Sequence, residues 1–139
     1  MSKKSAVPAP ILVVVSAPSG AGKTTLCQKL LEDFPELTLS VSSTTRLPRG
    51  MEQEGKAYYF LRASEFDRKS HVGDFAERAE VHGNRYGTAK QTIEECFARG
   101  KSILLDIDVQ GAESLRRAYP DQSLLVFVAP PSLEELEFR

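Results

Sequence analysis

The segment that most constrains the fold is a short apolar run followed directly by a glycine-rich stretch. Residues 11–15 read Ile-Leu-Val-Val-Val, and a continuous β-branched run is typical of a strand covered on both faces in a parallel sheet. Residues 16–22 are small and glycine-rich, which predicts a turn. Leucines at helical spacing follow and stop before Pro35, which predicts a helix over 23–34. The order of strand, glycine turn and helix predicts an α/β fold.

Later segments repeat this pattern. Residues 102–107 and 124–128 are two further apolar strands, which we expect to be buried. Between them, residues 111–118 have a helical pattern that stops before a proline. We therefore expect residues 11–36 and 91–131 to form one core around a parallel sheet.

The middle section, residues 37–90, has a different pattern. Apolar and polar residues alternate over 37–43, which predicts a half-buried strand, and short strands are also predicted at 57–61 and 75–81, with a turn at 82–84. The section is therefore predicted to be a small β-rich subdomain inserted into the core.

Capping-box patterns predict where helices begin. Three such patterns are present: Ser64 to Asp67, Thr88 to Gln91, and Ser132 to Glu135. The first predicts a helix that stops near Gly73, and the second predicts one that ends at Gly100. The third predicts a helix that still continues at Arg139, and we therefore expect the sequence to be a fragment of a longer chain.

Charge and composition exclude several classes of function. The net charge is −1 and the charges are scattered, so no basic excess points to nucleic acid. The longest apolar run, residues 11–15, is far too short to cross a membrane. Cys27 and Cys96 lie in no Cys or His cluster, which leaves structural zinc unsupported. Reduced thiols in a cytoplasmic protein are the simplest interpretation.

The glycine-rich turn nearly fits the phosphate-binding pattern GxxxxGK[ST]. Ala17 stands at the first glycine of the pattern, and Gly22, Lys23 and Thr24 complete it. Backbone N–H groups of small residues and the N-terminus of the next helix can surround phosphate oxygens. Lys23 can reach the β- and γ-phosphates of a nucleotide, and the Thr24 hydroxyl can bind Mg²⁺. The alternative is a glycine-rich turn that contains a lysine by chance.

Two acids follow the apolar strand of residues 102–107. Asp106 ends this strand, where an acid beside a nucleotide-bound Mg²⁺ is expected. Asp108 follows two residues later, on the same side of an extended chain. The alternative is that both acids only mark the end of the strand.

The middle section contains a second group of polar side chains. Arg46 and Arg49 flank Pro48 in one loop, and Tyr58 follows nearby. Guanidinium and phenol groups are strong hydrogen-bond donors to a phosphate monoester. The alternative is that both arginines are solvated surface residues.

Glu77 is informative because of its position. On a strand over residues 75–81, it would share a face with Phe75, Ala79 and Val81. A carboxylate on an apolar face needs a partner, and guanine would offer its N1–H and 2-amino donors. Adenine has an acceptor at N1 and no 2-amino group. The alternative, a helical or frayed segment with a solvated Glu77, stays open at this point.

Together these motifs resemble the guanylate kinase family. The matching strings follow the family's order over residues 11–139: APSGAGKTT (17–25), SVSSTTRLPRG (40–50), GKAYYF (55–60), FAERAEVHGNRYGT (75–88), LLDIDVQG (104–111) and APPSLEELEFR (129–139). The resemblance implies a parallel-sheet P-loop kinase core with an inserted GMP-binding subdomain. It also implies Mg²⁺-dependent transfer of the ATP γ-phosphoryl group to GMP, with dGMP as an alternative acceptor.

The resemblance implies roles for single residues. The implied guanine contacts are Ser42, Glu77 and Thr88, although Thr88 is also a candidate helix cap and one hydroxyl cannot serve both purposes. The implied phosphate contacts are Arg46, Arg49, Tyr58 and Tyr86, with Asp106 and Asp108 near the guanine and the P-loop. The implied ATP-binding residues are Ala17, Pro18, Ser19, Gly20, Ala21, Gly22, Lys23, Thr24 and Thr25. Of these residues, Lys23, Arg46 and Arg49 would be catalytic and Thr24 would bind Mg²⁺.

In the family, the helix that starts near Ser132 leads into an arginine-bearing lid, so residues 132–139 are expected to begin that lid. Two alternative functions stay open. A ribose-phosphate kinase on the same frame would keep the P-loop but need no carboxylate that recognises guanine. A non-catalytic guanylate-kinase-like domain would bind protein ligands, and such domains typically have a degraded P-loop.

Overall fold

The computed structural model describes residues 9–17 and 23–128, apart from the side chains of Lys23 and Thr24. In chain order, the elements of this part are β1 (Leu12–Ser16), α1 (Lys23–Asp33), β2 (Leu37–Leu39), β3 (Ser43–Thr44), β4 (Tyr59–Phe60), α2 (Ala63–His71), β5 (Phe75–Val81), β6 (Asn84–Ala89), α3 (Lys90–Ala98), β7 (Ser102–Asp106), α4 (Val109–Ala118) and β8 (Ser123–Phe127). None of the helices described here is long and apolar enough to span a bilayer.

The first sheet contains four parallel strands in the order β2-β7-β1-β8. β1 and β7 pair with Leu12 opposite Ile103 and Val15 opposite Asp106. Their carboxyl ends therefore lie side by side, at the edge where open α/β sheets bind ligands. The predicted parallel-sheet core is confirmed.

Apolar side chains cover both faces of this sheet. On one face, the buried cluster joins the sheet to α3 and α4 and consists of Leu12, Val14, Ile93, Cys96, Ile103, Leu105, Ala112 and Leu115. On the other face, Val15 and Leu104 pack with Cys27 of α1. Burying a large apolar side chain of this kind stabilises the fold by about 1.5–3 kcal/mol. Coverage of both faces explains why β1 and β7 are continuous apolar runs.

The second sheet is inserted between β2 and β7 in the chain, and its strand order is β4-β3-β6-β5. β5 and β6 form an antiparallel hairpin with a register shift between Phe75 and Glu77. The two-residue connection, His82 and Gly83, has φ angles of 52° and 79°. Positive φ at both positions is the geometry that matches the twist of paired strands. The predicted β-rich insertion is therefore confirmed.

The prediction of one strand over residues 37–43 is wrong. β2 ends at Leu39 and pairs with β7 of the first sheet, whereas β3 begins at Ser43 and pairs with strands of the second sheet. The chain therefore passes from one sheet to the other between these residues. The division of the chain at residues 37 and 90 stays a prediction. β2 lies within the predicted insertion, residues 37–90, but it pairs with β7 of the core sheet.

Two of the predicted capping boxes are also wrong. α2 begins after Arg62, whose backbone N–H donates to the Glu65 carboxylate at 3.4 Å, rather than at the pattern of residues 64–67. α3 begins two residues after Thr88, which therefore lies in β6 and caps no helix. The pattern that starts at Ser132 lies outside the described residues.

The predicted strand over residues 124–128 is present as β8, but it is not buried. Leu124 and Phe127 are 51% and 59% exposed. Among the described strands, β8 pairs with β1 alone and lies at the edge of the sheet. An apolar run predicts a strand but does not distinguish a central position from an edge position.

Candidate functional site

A cleft of about 250 Å³ lies between the carboxyl edge of the first sheet and the second sheet. The predicted site residues that line it are Ser42, Tyr58, Glu77, Tyr86, Asp106 and Asp108. The lining also includes Ala79, Val81 and Ile107. The structure thus brings together two groups of residues that the sequence places apart, one in the insertion and one after β7.

Glu77 is the buried acid of this cleft. It is only 6% exposed, and the hydroxyl of Thr88 donates to its Oε2 at 2.8 Å. The two residues are direct partners across β5 and β6, so their side chains share one face of the hairpin. Burial raises the pKa of the Glu77 carboxyl above its ordinary value, which the Thr88 hydrogen bond opposes and the Asp108 charge reinforces. A desolvated carboxylate of this kind has lone pairs left for further donors.

Asp108 caps α4 and also lines the cleft. Its Oδ1 accepts a hydrogen bond of 2.8 Å from the backbone N–H of Gly111, which satisfies one of the donors that a helix N-terminus leaves unpaired. Asp106 and Asp108 are both exposed on the cleft. The pair therefore does more than mark a strand end, because one acid fixes the start of the helix that follows.

Arg46 forms an ion pair beside the cleft. It is 8% exposed, and its two terminal nitrogens donate to the two carboxylate oxygens of Glu52, each at 3.0 Å. Nη1 also donates to the carbonyl oxygen of Leu47 at 3.2 Å. The guanidinium lies over the ring of Tyr58, 4.9 Å from its centroid, in a cation–π contact. The Glu52 hydrogen bond raises the pKa of Arg46, and the Arg46 hydrogen bond lowers the pKa of Glu52.

Arg49 has an exposed side chain, but its backbone joins the same network. Its N–H donates to Glu52 Oε1 at 2.8 Å. Glu52 therefore fixes the loop that carries both predicted phosphate-binding arginines. Neither Arg46 nor Arg49 lines the cleft directly, and Arg46 reaches it through Tyr58.

Two tyrosines form one wall of the cleft. The rings of Tyr58 and Tyr86 meet edge to face with centroids 5.9 Å apart, and Phe60 packs against Tyr58 at 5.8 Å. Such pairs are favourable aromatic contacts. The wall therefore contains two phenol rings, and the guanidinium of Arg46 lies over one of them, that of Tyr58.

The predicted ATP-binding segment is described in part. Ala17 follows β1, and Thr25 is exposed on α1. The residues Pro18, Ser19, Gly20, Ala21 and Gly22 and the side chains of Lys23 and Thr24 lie outside the description. The Oγ atom of Ser16, at the end of β1, is buried and has no hydrogen-bond partner among the described residues.

The carboxylate of Asp106 is a suitable ligand for Mg²⁺. Its carboxylate is exposed at the end of β7, opposite Val15 of the strand that leads into residues 17–25. Mg²⁺ prefers oxygen ligands and usually takes one or two carboxylates together with substrate phosphates. Within residues 9–17 and 23–128, no cluster of three or more His, Cys, Asp or Glu side chains is placed to hold a metal. The exposed carboxylate of Asp106 fits a Mg²⁺ ion of this kind.

Sequence reasoning missed two residues of this site. Glu52 pairs with Arg46, and the available signal was an acid within six residues of two arginines that need a partner. Gly111 lies in the first turn of α4, and a Cβ atom built on it would be 2.6 Å from Glu77 Oε1. The available signal was a glycine inside a helical pattern, which has an intrinsic cost and therefore indicates a local packing reason.

Comparisons with known proteins identify the family. The sequence profile of guanylate kinases matches residues 10–139. The guanylate kinase of Geobacter metallireducens is 52% identical over 129 residues, which are 93% of this chain and 63% of the relative. The guanylate kinase of Myxococcus xanthus is 46% identical over 139 residues, which are 100% of this chain and 66% of the relative.

A solved structure agrees with these sequences. The crystal structure of guanylate kinase from Anaplasma phagocytophilum matches with a TM-score of 0.77 and 40% identity, over 94% of this chain and 65% of that chain. The chain thus spans somewhat less than two thirds of the length of the Geobacter relative and of this solved structure. From its sequence and its fold, the chain belongs to the guanylate kinase family.

Proposed function

We propose that the cleft binds GMP and that this chain carries out, or is part of a protein that carries out, transfer of the ATP γ-phosphoryl group to GMP, giving ADP and GDP. The observation that carries the proposal is the carboxylate of Glu77, buried in the cleft with the Thr88 hydroxyl beside it. The family to which the chain belongs supports the same reaction.

The edge of guanine complements this carboxylate. N1–H and the 2-amino group are two adjacent donors, and Glu77 can accept from both while Thr88 holds Oε2. Adenine would present an acceptor at N1 to a desolvated carboxylate, which is unfavourable. Ser42 also lines the cleft, and we assign it to the same base. GMP and dGMP are the acceptors that this pairing favours.

The phosphate of GMP would lie at the tyrosine wall. Arg46 donates to Glu52 and Leu47 and also interacts with Tyr58, and we assign the donor capacity that remains on its guanidinium to phosphate oxygens. The phenols of Tyr58 and Tyr86 add neutral donors on the same side. The exposed Arg49 side chain is within the same loop and supplies the second cation in this proposal.

ATP would bind at the segment from Ala17 to Thr25, with Lys23 at its β- and γ-phosphates. Mg²⁺ would be held by Thr24 beside Asp106, and it would neutralise charge on the phosphates. In phosphoryl transfer the protein supplies mainly positioning and electrostatic stabilisation, so a protein nucleophile is not required. Location in the cytoplasm stays a prediction of the sequence.

Titration calorimetry with GMP and AMP tests the proposal. We expect the chain to bind GMP and to discriminate against AMP by about 10⁴–10⁵, because a site built for a polar edge rejects a ligand that lacks it. The change Glu77→Gln keeps the shape but removes the charge, and it should weaken GMP binding by about 1.5–3 kcal/mol. The matched control is Glu80→Gln, an exposed acid on the same strand.

Equal binding of GMP and AMP by the wild type would contradict the role of Glu77. If neither nucleotide bound and ATP also failed to bind, the result would contradict the proposal and favour the alternative of a non-catalytic domain of the family. Formation of GDP from GMP and ATP, measured in the presence of Mg²⁺, then tests the chemical step.

A further inference from the structure

Helix α4 begins directly against the buried carboxylate of Glu77. Gly111, in the first turn of this helix, is buried, and a Cβ atom there would lie 2.6 Å from Glu77 Oε1. The same atom would lie 3.0 Å from Cδ1 of Ile107 and 3.2 Å from Oδ1 of Asp108. The Glu77 carboxylate thus occupies the space that any side chain at position 111 would need.

The glycine is not explained by the backbone of the helix. It lies inside α4, and its φ is not in the left-handed region. Glycine lowers the stability of a helix interior relative to alanine, so the helix alone would favour another residue. The reason for glycine therefore lies in what it faces, which is the end of the Glu77 side chain.

We propose that Gly111 is a positioning residue for guanine recognition, because its missing side chain lets α4 close on β5 while the Glu77 carboxylate stays in place beside Thr88. The inference rests on the proposed binding of GMP in the cleft. It gives α4 two tasks in the site. Asp108 caps the helix, and Gly111 leaves room for the acid that accepts the base.

The closest contact of a side chain at position 111 would be with a movable group. Glu77 Oε1 is the far end of a flexible chain, whereas the contacts with Ile107 and Asp108 are less severe. A methyl group at 111 should therefore displace the carboxylate from Thr88 without unfolding the protein. Guanine recognition should fall while the fold and the ATP-binding segment are retained.

The test compares Gly111→Ala with the wild type by calorimetry and thermal melting. We expect GMP to bind about 10- to 100-fold more weakly, the range for losing one hydrogen bond to a charged group, with ATP binding and the melting temperature nearly unchanged. The preference for GMP over inosine monophosphate, which lacks the 2-amino group, should fall as well. Gln110→Ala, at an exposed neighbouring position of α4, is the control for helix propensity and should bind GMP normally.

Shortening the acid provides a second readout that a purely structural role would not change. Glu77→Asp withdraws the carboxylate from position 111, so adding Gly111→Ala to this variant should cost much less GMP affinity than adding it to the wild type. The inference is overturned if Gly111→Ala binds GMP and inosine monophosphate like the wild type, if it costs the same factor in both backgrounds, or if it fails to fold. Absence of GMP binding by the wild type would instead refute the proposed function.

Discussion

The two ends of the cleft hold charge in opposite ways. At the proposed base end, which contains Glu77 and Thr88, a carboxylate that is 6% exposed accepts from a neutral hydroxyl. At the proposed phosphate end, Tyr58 lines the cleft, and beside it the Arg46 guanidinium, which is 8% exposed, donates to both carboxylate oxygens of Glu52. Burial is therefore similar, but within the described part of the chain an oppositely charged partner is present at the phosphate end and not at the base end.

This difference separates selectivity from affinity. The Glu77 carboxylate at the base end is buried and can accept further hydrogen bonds besides the one from Thr88. We therefore expect this end to discriminate among bases by the donors that they present. At the phosphate end, the positive charge of Arg46 is already paired with the carboxylate of Glu52, which also orients the guanidinium. It should add affinity for any phosphate monoester without discriminating among bases.

The largest effect is expected outside both ends, at Lys23. In the proposed reaction, Lys23→Ala would remove a cation from the charge that develops on the transferred phosphoryl group, and losing one preorganised donor costs about 2.7–4 kcal/mol. Turnover of ATP and GMP should therefore fall by roughly 10²–10³ in a steady-state assay, while the GMP dissociation constant stays the same. A matching loss of GMP affinity would show that the cleft and the P-loop are not separable.

The next largest effect should distinguish the two ends of the cleft, because binding of GMP is compared with binding of guanosine. Glu52→Gln keeps a hydrogen-bonding side chain but frees Arg46 from its oriented pair, so GMP should bind about tenfold more weakly. Guanosine, which has no phosphate, should bind the variant and the wild type equally. Glu77→Gln should weaken both ligands by the same factor. If Glu52→Gln weakened guanosine as much as GMP, the two ends would not be independent.

The smallest effect is a pH dependence of stability that has opposite signs at two acids. The pKa of Glu77 is raised by burial from its ordinary value of 4.5, so the folded state holds this proton more tightly than the unfolded state. Glu77 therefore favours folding most below pH 4.5, and this contribution is lost as the pH rises through the folded-state pKa. Glu77→Gln should be more stable than the wild type at neutral pH, and the advantage should disappear in acid.

Urea unfolding below pH 4.5 and at neutral pH measures the free energy of unfolding of the wild type and of Glu77→Gln. Glu113 is the matched control, because its hydrogen bond with Arg116 lowers its pKa. Its contribution to stability is therefore present above the ordinary pKa and lost as the pH falls. If the stability advantage of Glu77→Gln over the wild type increased as the pH fell, it would contradict the claim that burial disfavours the ionised form of the Glu77 carboxyl.

What the sequence could predict depends on whether a feature is determined within one element or by a contact with a distant one. β1 and β7 were predictable because coverage on both faces leaves a continuous apolar run. The burial of Glu77 within β5 was indicated by its position on the apolar face of the predicted strand. In both cases the signal is local, since it depends on residues within one element.

Features that depend on distant partners were not predictable in this way. Residues 37–43 alternate evenly, so nothing local marks where the chain leaves one sheet for the other. Thr88 fits a capping box by its spacing, but its hydroxyl is taken by Glu77, eleven residues away. The space at Gly111 exists only because α4 packs on β5. Each of these depends on a contact between segments that are distant in the sequence.

The most direct test of the central claim is to observe the hydrogen bond between guanine and Glu77. With ¹⁵N-labelled GMP bound to the saturated chain, we predict that the N1 imino proton becomes visible by NMR because its exchange with water is slowed. It should also show a nuclear Overhauser contact to the side chain of Glu77 or Thr88. An imino proton that exchanges as fast in the saturated complex as in free GMP would contradict the claim that this buried carboxylate recognises guanine.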